Sequence, residues 1–312
     1  MNTADASISV VIPTYRRERV LLDTIDYLVR LDPGGKEIVI VDQTEEHSAE
    51  TASALQELAN VEQVRWLRLA EPSIPHAMNA GLKEARHEIV LFLDDDLIPG
   101  PDLIVAHQRA HSEGHNIVAG QVLQPGETPM SKDESAREFL FRSNRGQFIN
   151  ELMGGNFSIK RGLALKLGGF DENFVHVAYR FEAEFAERAL RAGERIWFEP
   201  EASIRHLKAG SGGTRAYGHH LRSIRPSHSV GEYYYLLRSK ETPNRLLKMM
   251  GRPLRAIRTR HHLSHPWWIP PTLVAEAAGF FWAVGLALRG PRLMREQAPE
   301  PGAKRQELSA KS

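Results

Sequence analysis

The feature that most constrains the fold is the alternation of short apolar runs with helical repeats in the first third of the chain. The apolar runs lie at residues 8–12, 38–41, 64–69 and 88–93, and the helical repeats at residues 21–31, 49–58 and 77–85. Parallel strands need a crossover connection, usually a helix, and such crossovers are right-handed. The alternation therefore predicts an α/β fold with a Rossmann-like, mainly parallel sheet.

The fourth apolar run leads directly into three carboxylates, Asp94, Asp95 and Asp96, while Asp42 ends the second run. Ligands of open α/β sheets bind at the carboxyl ends of strands, so these side chains are predicted to share one edge. Adjacent carboxylates repel by ~1 kcal/mol per pair in water, and by more at lower dielectric. Either Mg²⁺ or Mn²⁺ shared with substrate phosphates relieves this repulsion, or the triplet is an acidic turn capping the helix after Pro101.

Bulk properties narrow the class of protein. The chain has 312 residues, of which 42% are hydrophobic, enough for one large domain or a domain with an appendage. Its net charge of +1 gives no general reason to expect nucleic-acid binding. The absence of cysteine excludes disulfides, thiol catalysis and cysteine-ligated zinc. Residues 8–12 are too short for the apolar region of a signal peptide, so we expect a cytoplasmic protein.

Beyond residue 100 the pattern is less regular. The predicted elements there are a helix to about residue 111, a strand at 117–122, a helix at 179–192, and short strands at 196–198 and 202–204. Residues 124–133 and 210–215 read as loops because they are polar or glycine-rich. Residues 296–312 are polar and rich in small and charged types, and we expect a disordered tail there.

Four segments in the order of the chain resemble the family-two glycosyltransferases of GT-A fold. They are Val-Val-Ile-Pro-Thr-Tyr-Arg-Arg at 10–17, Ile-Val-Asp at 40–42, Phe-Leu-Asp-Asp-Asp at 92–96 and Gly-Gly-Phe-Asp-Glu at 168–172. The resemblance covers roughly residues 7–215. It implies metal-assisted, inverting transfer of a sugar from a UDP- or dTDP-type donor to a hydroxyl of a polysaccharide or glycolipid precursor.

The resemblance also implies roles on the donor side of the site. The residues that it places along the donor are Pro13, Tyr15, Arg17, Asp42, Asp94 and Asp95. Asp42 would accept a hydrogen bond from the base, and Asp96 would be the main ligand of Mg²⁺ or Mn²⁺, completed by His206. Relatives carry an arginine where this chain has Met78, so Lys208 or Arg215 is the candidate for the missing positive charge.

On the acceptor side the resemblance implies a carboxylate base at the start of a helix. The register assigns this role to Glu182, with Glu184 in reserve, and puts Phe181 where relatives carry an acidic neighbour. The residues expected to line the acceptor side are Gly154, Gly155 and Asn156. From residues alone, Glu182 and Glu184 could equally be surface carboxylates at a helix N-terminus.

The predicted domain organisation is a GT-A domain at 1–215, divided into a nucleotide-binding part at about 7–110 and an acceptor-side part at about 111–215. A helical extension follows at 216–295. Within it, residues 272–288 are apolar, follow Trp267 and Trp268, and are interrupted by Glu276. A full span needs about 20 apolar residues, so this helix either lies peripherally in the inner membrane interface or packs on the catalytic domain.

Two other function classes stay open at this stage. A sugar-phosphate nucleotidyltransferase could use the same sheet, although residues 14–17 lack the glycine-rich phosphate loop usual in that class. A catalytically silent glycan-binding or scaffold protein is favoured by the departures at Met78 and Phe181.

Overall fold

A single sheet with helices on both faces organises the protein. The computed structural model describes residues 7–31, 36–131, 139–218 and 221–294. Its strands are β1 Ile8–Thr14, β2 Lys36–Asp42, β3 Arg65–Arg68, β4 Ile89–Leu93, β5 Leu97–Pro99, β6 Ile117–Leu123, β7 Gln147–Ile149, β8 Asn156–Lys160 and β9 Ile196–His206. Its α-helices are α1 Arg19–Arg30, α2 Ala49–Asn60, α3 Ile74–Glu84, α4 Leu103–Ser112, α5 Arg161–Lys166, α6 Phe181–Arg191, α7 Ser229–Arg238, α8 Arg245–Ile257, α9 Arg260–Ser264 and α10 Ile269–Arg289. Two 3₁₀ helices lie at Gly213–Tyr217 and Pro266–Trp268.

The strand order is β3-β2-β1-β4-β8-β6-β9-β5, with β7 paired to β9. The pairings give β1, β2, β3, β4, β6 and β9 one direction, and β5, β7 and β8 the opposite one. The first half is therefore a parallel α/β unit, and the second half is mixed. The predicted α/β fold with a mainly parallel sheet and a C-terminal helical extension is confirmed.

Each face of the sheet carries its own core. Alternate residues of one strand point to opposite faces, so Val11 and Phe92 pack with α3, α6 and α7. Ile12 and Leu91 pack on the other face with α1 and α4. Every residue of β4 is buried, as expected for a central parallel strand covered on both sides. Because both faces of β4 are packed, its carboxyl end and the aspartates that follow it are held in place relative to the sheet.

Several elements differ from the sequence expectation. The two short strands predicted at 196–198 and 202–204 form one strand, β9, whose pairing with β6 shifts register around Pro200, between Gly120 and Gln121. The strands β5 and β7 have three residues each, too few for a periodic signal, and were not predicted. The predicted loop at 210–215 ends in the 3₁₀ helix. The predicted tail at 296–312 and the end of the loop at 124–133 lie outside the described residues.

The C-terminal helices are attached to the sheet domain by buried contacts. Tyr234 of α7 donates to Asp171 at 2.6 Å, and Ser229 donates to the carbonyl of Ala275 in α10 at 2.9 Å. Gly279 lets α10 approach α7 closely, because a Cβ there would lie 2.1 Å from the Ser229 hydroxyl. Residues 266–289 are long and apolar enough to cross a membrane, yet one face of α10 is packed on α7.

Candidate active site

One cavity of about 370 Å³ opens at the carboxyl ends of β1 and β4, where ligands bind in open α/β sheets. The predicted site residues that line it are Pro13, Tyr15, Arg17, Asp94, Asp95, Asp96, Gly154, Gly155, Glu182, His206 and Lys208. The predicted site residues that do not line it are Asp42, Asn156, Glu184 and Arg215. The fold thus brings most of both predicted halves of the site together.

The three consecutive aspartates have three different surroundings. The side chain of Asp94 is 47% exposed and faces the cavity. Asp95 is buried, and its carboxylate accepts hydrogen bonds from the Thr14 hydroxyl at 2.7 Å and from Arg17 Nε at 3.0 Å. Burial raises the pKa of Asp95 to about 7, against the opposing effect of Arg17. Asp96 is buried and accepts the backbone N–H of Ala209 at 2.6 Å.

Arg17 ties the end of β1 to the aspartates and to the glycine-rich loop after β9. Its second contact is Nη2 to Asp96 Oδ2 at 3.4 Å, and its Nη1 donates to the carbonyl of Ser211. Gly212 has φ +73°, and a Cβ there would lie 2.2 Å from the carbonyl of Arg16, so only glycine fits. Arg17 lines the cavity as predicted, but its guanidinium is already committed to carboxylates.

Asp94, Asp96 and His206 form a cluster that could hold a metal ion, with ligand atoms within 4.8 Å of one another. His206 Nε2 lies 3.1 Å from Asp96 Oδ1, and its Nδ1 lies 3.1 Å from Gln124 Oε1. Because that amide oxygen only accepts, Nδ1 carries a proton, and a neutral ring presents the Nε2 lone pair to the cluster. Two carboxylates and one imidazole are a donor set that suits Mn²⁺ or a similar divalent ion.

Charge pairing sets the ionisation of this cluster. Burial favours the neutral form of Asp96, but the hydrogen bonds from His206 and Ala209 and the charge of Arg17 lower its pKa below the ordinary value. Burial also disfavours the charged ring of His206, but Asp96 and Asp94 outweigh it and raise the pKa of His206. The positive charges of His206 and Arg17 therefore balance Asp96, and a divalent ion held by the cluster would replace the proton on His206.

The backbone before α6 adopts an unusual conformation. Three non-glycine residues have positive φ angles: His176 at 58°, Ala178 at 52° and Arg180 at 76°. Such conformations cost on the order of 1–3 kcal/mol each and persist only where the surroundings fix them. Helix α7 supplies that support, since Glu232 accepts a 2.9 Å hydrogen bond from Arg180 and Gly231 packs against the backbone of Tyr179. This loop conformation places Tyr179 and the first turn of α6 at the cavity.

Glu182 lies in that first turn and lines the cavity. Burial raises its pKa to about 7, and the nearby charge of Asp94 adds to this effect, while Arg180 opposes it. Glu184 points elsewhere: it is buried and receives two hydrogen bonds from Arg188, at 3.0 and 2.7 Å. The two candidate bases are therefore distinguished, because Glu184 is buried, paired with Arg188 and does not line the cavity.

The predicted acceptor-side segment divides into two roles. A Cβ on Gly155 would lie 2.1 Å from Asp94 Oδ2, and one on Gly154 would lie 3.0 Å from Phe181, so both glycines permit close approach at the cavity wall. Asn156 is fully buried instead, and its amide donates to the carbonyls of Gln121 and Ala202 at 3.0 and 2.8 Å. It joins β6, β8 and β9 below the cavity.

The structure does not bring Asp42 to the cavity. Its carboxylate is fully buried and accepts the backbone N–H of Thr44 and the indole N–H of Trp66, both at 2.9 Å. His47 Nε2 lies 2.8 Å from the same carboxylate. Asp42 therefore holds the end of β2 and does not line the cavity, which its neighbour Gln43 does, so the expected contact of Asp42 with a nucleotide base stays a prediction.

The candidate cations are also separated. Lys208 lines the cavity, with φ +52° directly after β9. Arg215 is exposed on the 3₁₀ helix and does not line the cavity, although Thr214 and Tyr217 of the same helix do. Met78 is buried in the core and forms part of the cavity wall. The structure therefore favours Lys208 over Arg215 as the extra positive charge.

Other lining residues were not predicted as site residues, among them Thr14, Gln43, Ser73, Tyr179 and Tyr217. Thr14 lies inside the recognised first segment, so its position was a usable signal. Tyr217 lies 6.3 Å from Tyr15 between ring centroids, and stacks on His176 at 5.2 Å. These contacts join residues some 40 and 200 positions apart in the chain, which no local pattern reveals.

Comparisons with known proteins identify the family and the fold. The model of the family Glycosyl transferase family 2 matches residues 9–167. A comparison with curated proteins found no match. Among solved structures, the mannosyltransferase PcManGT from Pyrobaculum calidifontis, in complex with GDP-Man and Mn²⁺, is similar with a TM-score of 0.54 and 21% identity, covering 92% of this chain and 79% of that one.

Two further solved structures share the fold. S. aureus TarS 1–349 in complex with UDP-GlcNAc matches with a TM-score of 0.55 and 15% identity, over 87% of this chain and 91% of that one. GalNAc-T7 with UDP, GalNAc and Mn²⁺ matches with a TM-score of 0.61 and 12% identity, over 90% of this chain and 56% of that one.

Proposed function

The chain belongs to glycosyl transferase family 2 and is a glycosyltransferase, and from this premise we propose an inverting transfer from a nucleoside diphosphate-sugar to an acceptor hydroxyl. One observation carries the proposal. A carboxylate–imidazole cluster and a separate carboxylate, Glu182, line one cavity. Transfer by a single displacement needs both, because the leaving group and the attacking hydroxyl lie on opposite sides of the reacting carbon.

Asp94, Asp96 and His206 would hold Mg²⁺ or Mn²⁺, for which their donor atoms and spacing are suited. Mn²⁺ is present with the donor or its products in two of the solved relatives. When bound, such an ion supplies neutralising charge to the diphosphate leaving group. Lys208 adds a positive charge on the same wall, and Pro13 and Tyr15 would lie along the nucleotide.

Glu182 would act as the general base. The acceptor oxygen attacks the anomeric carbon, the bond from that carbon to the phosphate oxygen breaks on the opposite face, and the hydroxyl proton passes to the Glu182 carboxylate. The configuration at carbon is thereby inverted. A base whose pKa lies near neutral pH is both ionised and able to accept a proton, as efficient proton transfer requires.

The donor is proposed to be of the UDP or dTDP type, and the acceptor a polysaccharide or glycolipid precursor of the cell surface. The choice of a uracil or thymine base rests on the resemblance of the second segment, in which Asp42 would accept a hydrogen bond from the base. Relatives of this fold hold GDP-Man as well as UDP-GlcNAc, so the fold alone does not choose the base. We place the enzyme in the cytoplasm, peripherally at the inner face of the membrane.

A donor panel tests the proposal. Nucleotide sugars with uracil, thymine, guanine and cytosine bases are titrated in the presence and absence of Mn²⁺, while the thermal unfolding midpoint is followed. We expect a metal-dependent rise in the midpoint for one donor class, because binding to the folded state alone stabilises it. No response to any donor, with or without metal, would leave a silent glycan-binding or scaffold protein as the better interpretation. Release of pyrophosphate from a nucleoside triphosphate and a sugar phosphate would favour a nucleotidyltransferase.

A further inference from the structure

Helix α8 has its apolar side turned away from the protein. Leu247 is 70% and Met250 77% exposed, and Leu246 and Leu254 are more than half exposed as well. These residues recur at intervals of three, four and seven positions, which places them on one side of the helix. No residue of α8 is classed as buried. An amphipathic helix normally buries its apolar side, so this orientation calls for an apolar phase outside the chain.

The opposite side of α8 contacts the protein through a charge. Arg252 pairs with Glu276 of α10 and lies over the ring of Tyr233, with 5.1 Å between its guanidinium carbon and the ring centroid. Met249 packs at the edge of the core beside it. Arg252 and Met249 therefore lie on the attached side of the helix, which fixes the direction in which the leucines point.

Helix α10 extends the same apolar surface. Its packed side, which includes Ala275 and Gly279, faces α7, while Val274, Phe281 and Leu288 on the other side are exposed. The two helices run side by side in opposite directions. Leu246 and Leu247 share a surface groove with Ala287, Arg252 meets Glu276, and His262 lies 2.8 Å from Thr272. We call the exposed residues of α8 and α10, with Leu263 and Trp267, the apolar C-terminal surface.

The segment that carries this surface is predominantly basic. Residues 242–275 contain five arginines, one lysine and no acidic residue. Arg252 is paired with Glu276, and the remaining five cations are Arg245, Lys248, Arg255, Arg258 and Arg260. Arg255, Arg258 and Arg260 are exposed. Long basic side chains beside an apolar helix face are typical of helices that lie in the interface of an anionic bilayer.

We propose that the apolar C-terminal surface binds the interface of an anionic phospholipid bilayer, with α8 and α10 lying in the plane of the membrane. Basic side chains beside the leucines complement lipid phosphates, and exposed Trp267 has the amphipathic ring that prefers the headgroup level. A spanning orientation of α10 would require it to leave α7, breaking the Ser229 and Tyr233 hydrogen bonds to Ala275 and Glu276.

The position of this surface also indicates the class of acceptor, a step that rests on the proposed function. A groove of about 360 Å³ between α8, α10 and the start of α6 is lined by Arg252, Arg255 and Tyr179. Tyr179 also lines the active-site cavity, beside Glu182. A bilayer against α8 therefore lies on the attacking side of the site. An acceptor hydroxyl carried on a lipid anchored in that bilayer is the substrate class that this arrangement serves.

Flotation of the full chain with vesicles tests the bilayer contact. Vesicles of phosphatidylglycerol and phosphatidylcholine in equal parts are compared with phosphatidylcholine alone, at low and high salt and without donor. We expect the protein to float with the anionic vesicles at low salt. Leu247→Ser, Met250→Ser and Leu254→Ser combined should lower the partition coefficient by more than about tenfold. Lys248→Gln with Arg258→Gln should lower it by about fivefold per charge on anionic vesicles only.

The matched control removes three exposed apolar side chains from the other face of the sheet, by Tyr27→Ser, Val61→Ser and Val105→Ser, and should float like the wild type. Unfolding midpoints and donor titrations with Mn²⁺ are measured on every preparation. The proposal is overturned when the wild-type protein does not float with the anionic vesicles. It is also overturned when the combined variant Leu247→Ser, Met250→Ser, Leu254→Ser floats like the wild type. A dimer in solution that this variant dissociates overturns it as well. Vesicle binding without any response to a donor would support the membrane-binding surface and contradict the proposed function instead.

Discussion

The two walls of the active-site cavity are built in different ways. The donor wall, with Asp95, Asp96 and Arg17, is buried and cross-linked by ion pairs. The acceptor wall, with Tyr179 and Glu182, depends on a strained loop held by packing against α7. In the proposed mechanism, the sheet itself therefore holds the leaving-group side of the site. The attacking side depends on a later element, and we expect that this element can change with the acceptor without disturbing donor binding.

The largest expected effect is on donor binding, when the metal cluster of the donor wall is broken. We predict that Asp96→Ala abolishes metal-dependent donor binding and lowers transfer by at least about a hundredfold, because it removes a candidate ligand and frees Arg17 and His206 from their partner. Calorimetric titration of donor with Mn²⁺ measures the effect. The exposed carboxylate Asp102 gives the matched control, and Asp102→Ala should retain wild-type donor binding. Undiminished metal-dependent binding by Asp96→Ala would contradict the assigned role.

Loss of the proposed base on the acceptor wall should lower the transfer rate without changing donor affinity. Glu182→Gln is expected to lower the transfer rate by roughly a hundredfold to ten-thousandfold, since an amide cannot accept the proton, while donor affinity stays within a few fold. Single-turnover transfer and donor titration separate the two quantities. Glu184→Gln is the control: it breaks the pair with Arg188 and should lower the unfolding midpoint rather than the chemistry. Wild-type turnover by Glu182→Gln would move the base elsewhere.

Two glycines test the independence of the walls, because Gly155 packs against Asp94 of the metal cluster and Gly231 packs against Tyr179 of the acceptor wall. A Cβ at Gly155 would meet Asp94 Oδ2 at 2.1 Å, and one at Gly231 would meet the carbonyl of Tyr179 at 2.4 Å. We predict that Gly155→Ala weakens metal-dependent donor binding, whereas Gly231→Ala mainly reduces transfer, each by about tenfold if the backbone shifts by a few tenths of an ångström. The same titration and single-turnover assays apply. Equal effects of both variants on donor binding would show that the walls are not independent.

The donor wall was predictable because its aspartates directly follow an apolar run, so a short stretch of sequence is enough to locate them. Apolar runs and the carboxylates that follow them indicated where Asp94 and Asp96 lie, and the resemblance to family-two glycosyltransferases assigned Glu182. The inward orientation of Asp42 was not predictable, because a strand end does not reveal whether a side chain faces the ligand or an inward partner. Here Trp66 and His47 take it inward. The strained loop before α6 and the outward face of α8 depend on packing between distant segments, so no local pattern announces them.

The smallest expected effect, and the most specific to the acceptor wall, is on pH dependence. Because burial raises the pKa of Glu182 to about 7, the base is protonated and inactive at low pH, so kcat/KM should rise as pH increases through about 7 and then level off. Donor binding at saturating Mn²⁺ must be measured at each pH, since protonation of His206 would also lower activity.

The raised pKa of Glu182 has a consequence of opposite sign for the stability of the fold. A carboxyl whose folded pKa exceeds its unfolded value, here 4.5, costs stability once ionised, so the wild type loses stability as pH rises from about 4.5 to 7. Glu182→Gln lacks that cost, and its unfolding midpoint should exceed the wild-type midpoint by more at pH 8 than at pH 5. A difference in midpoint that is independent of pH would mean that Glu182 is not the desolvated carboxyl of the acceptor wall.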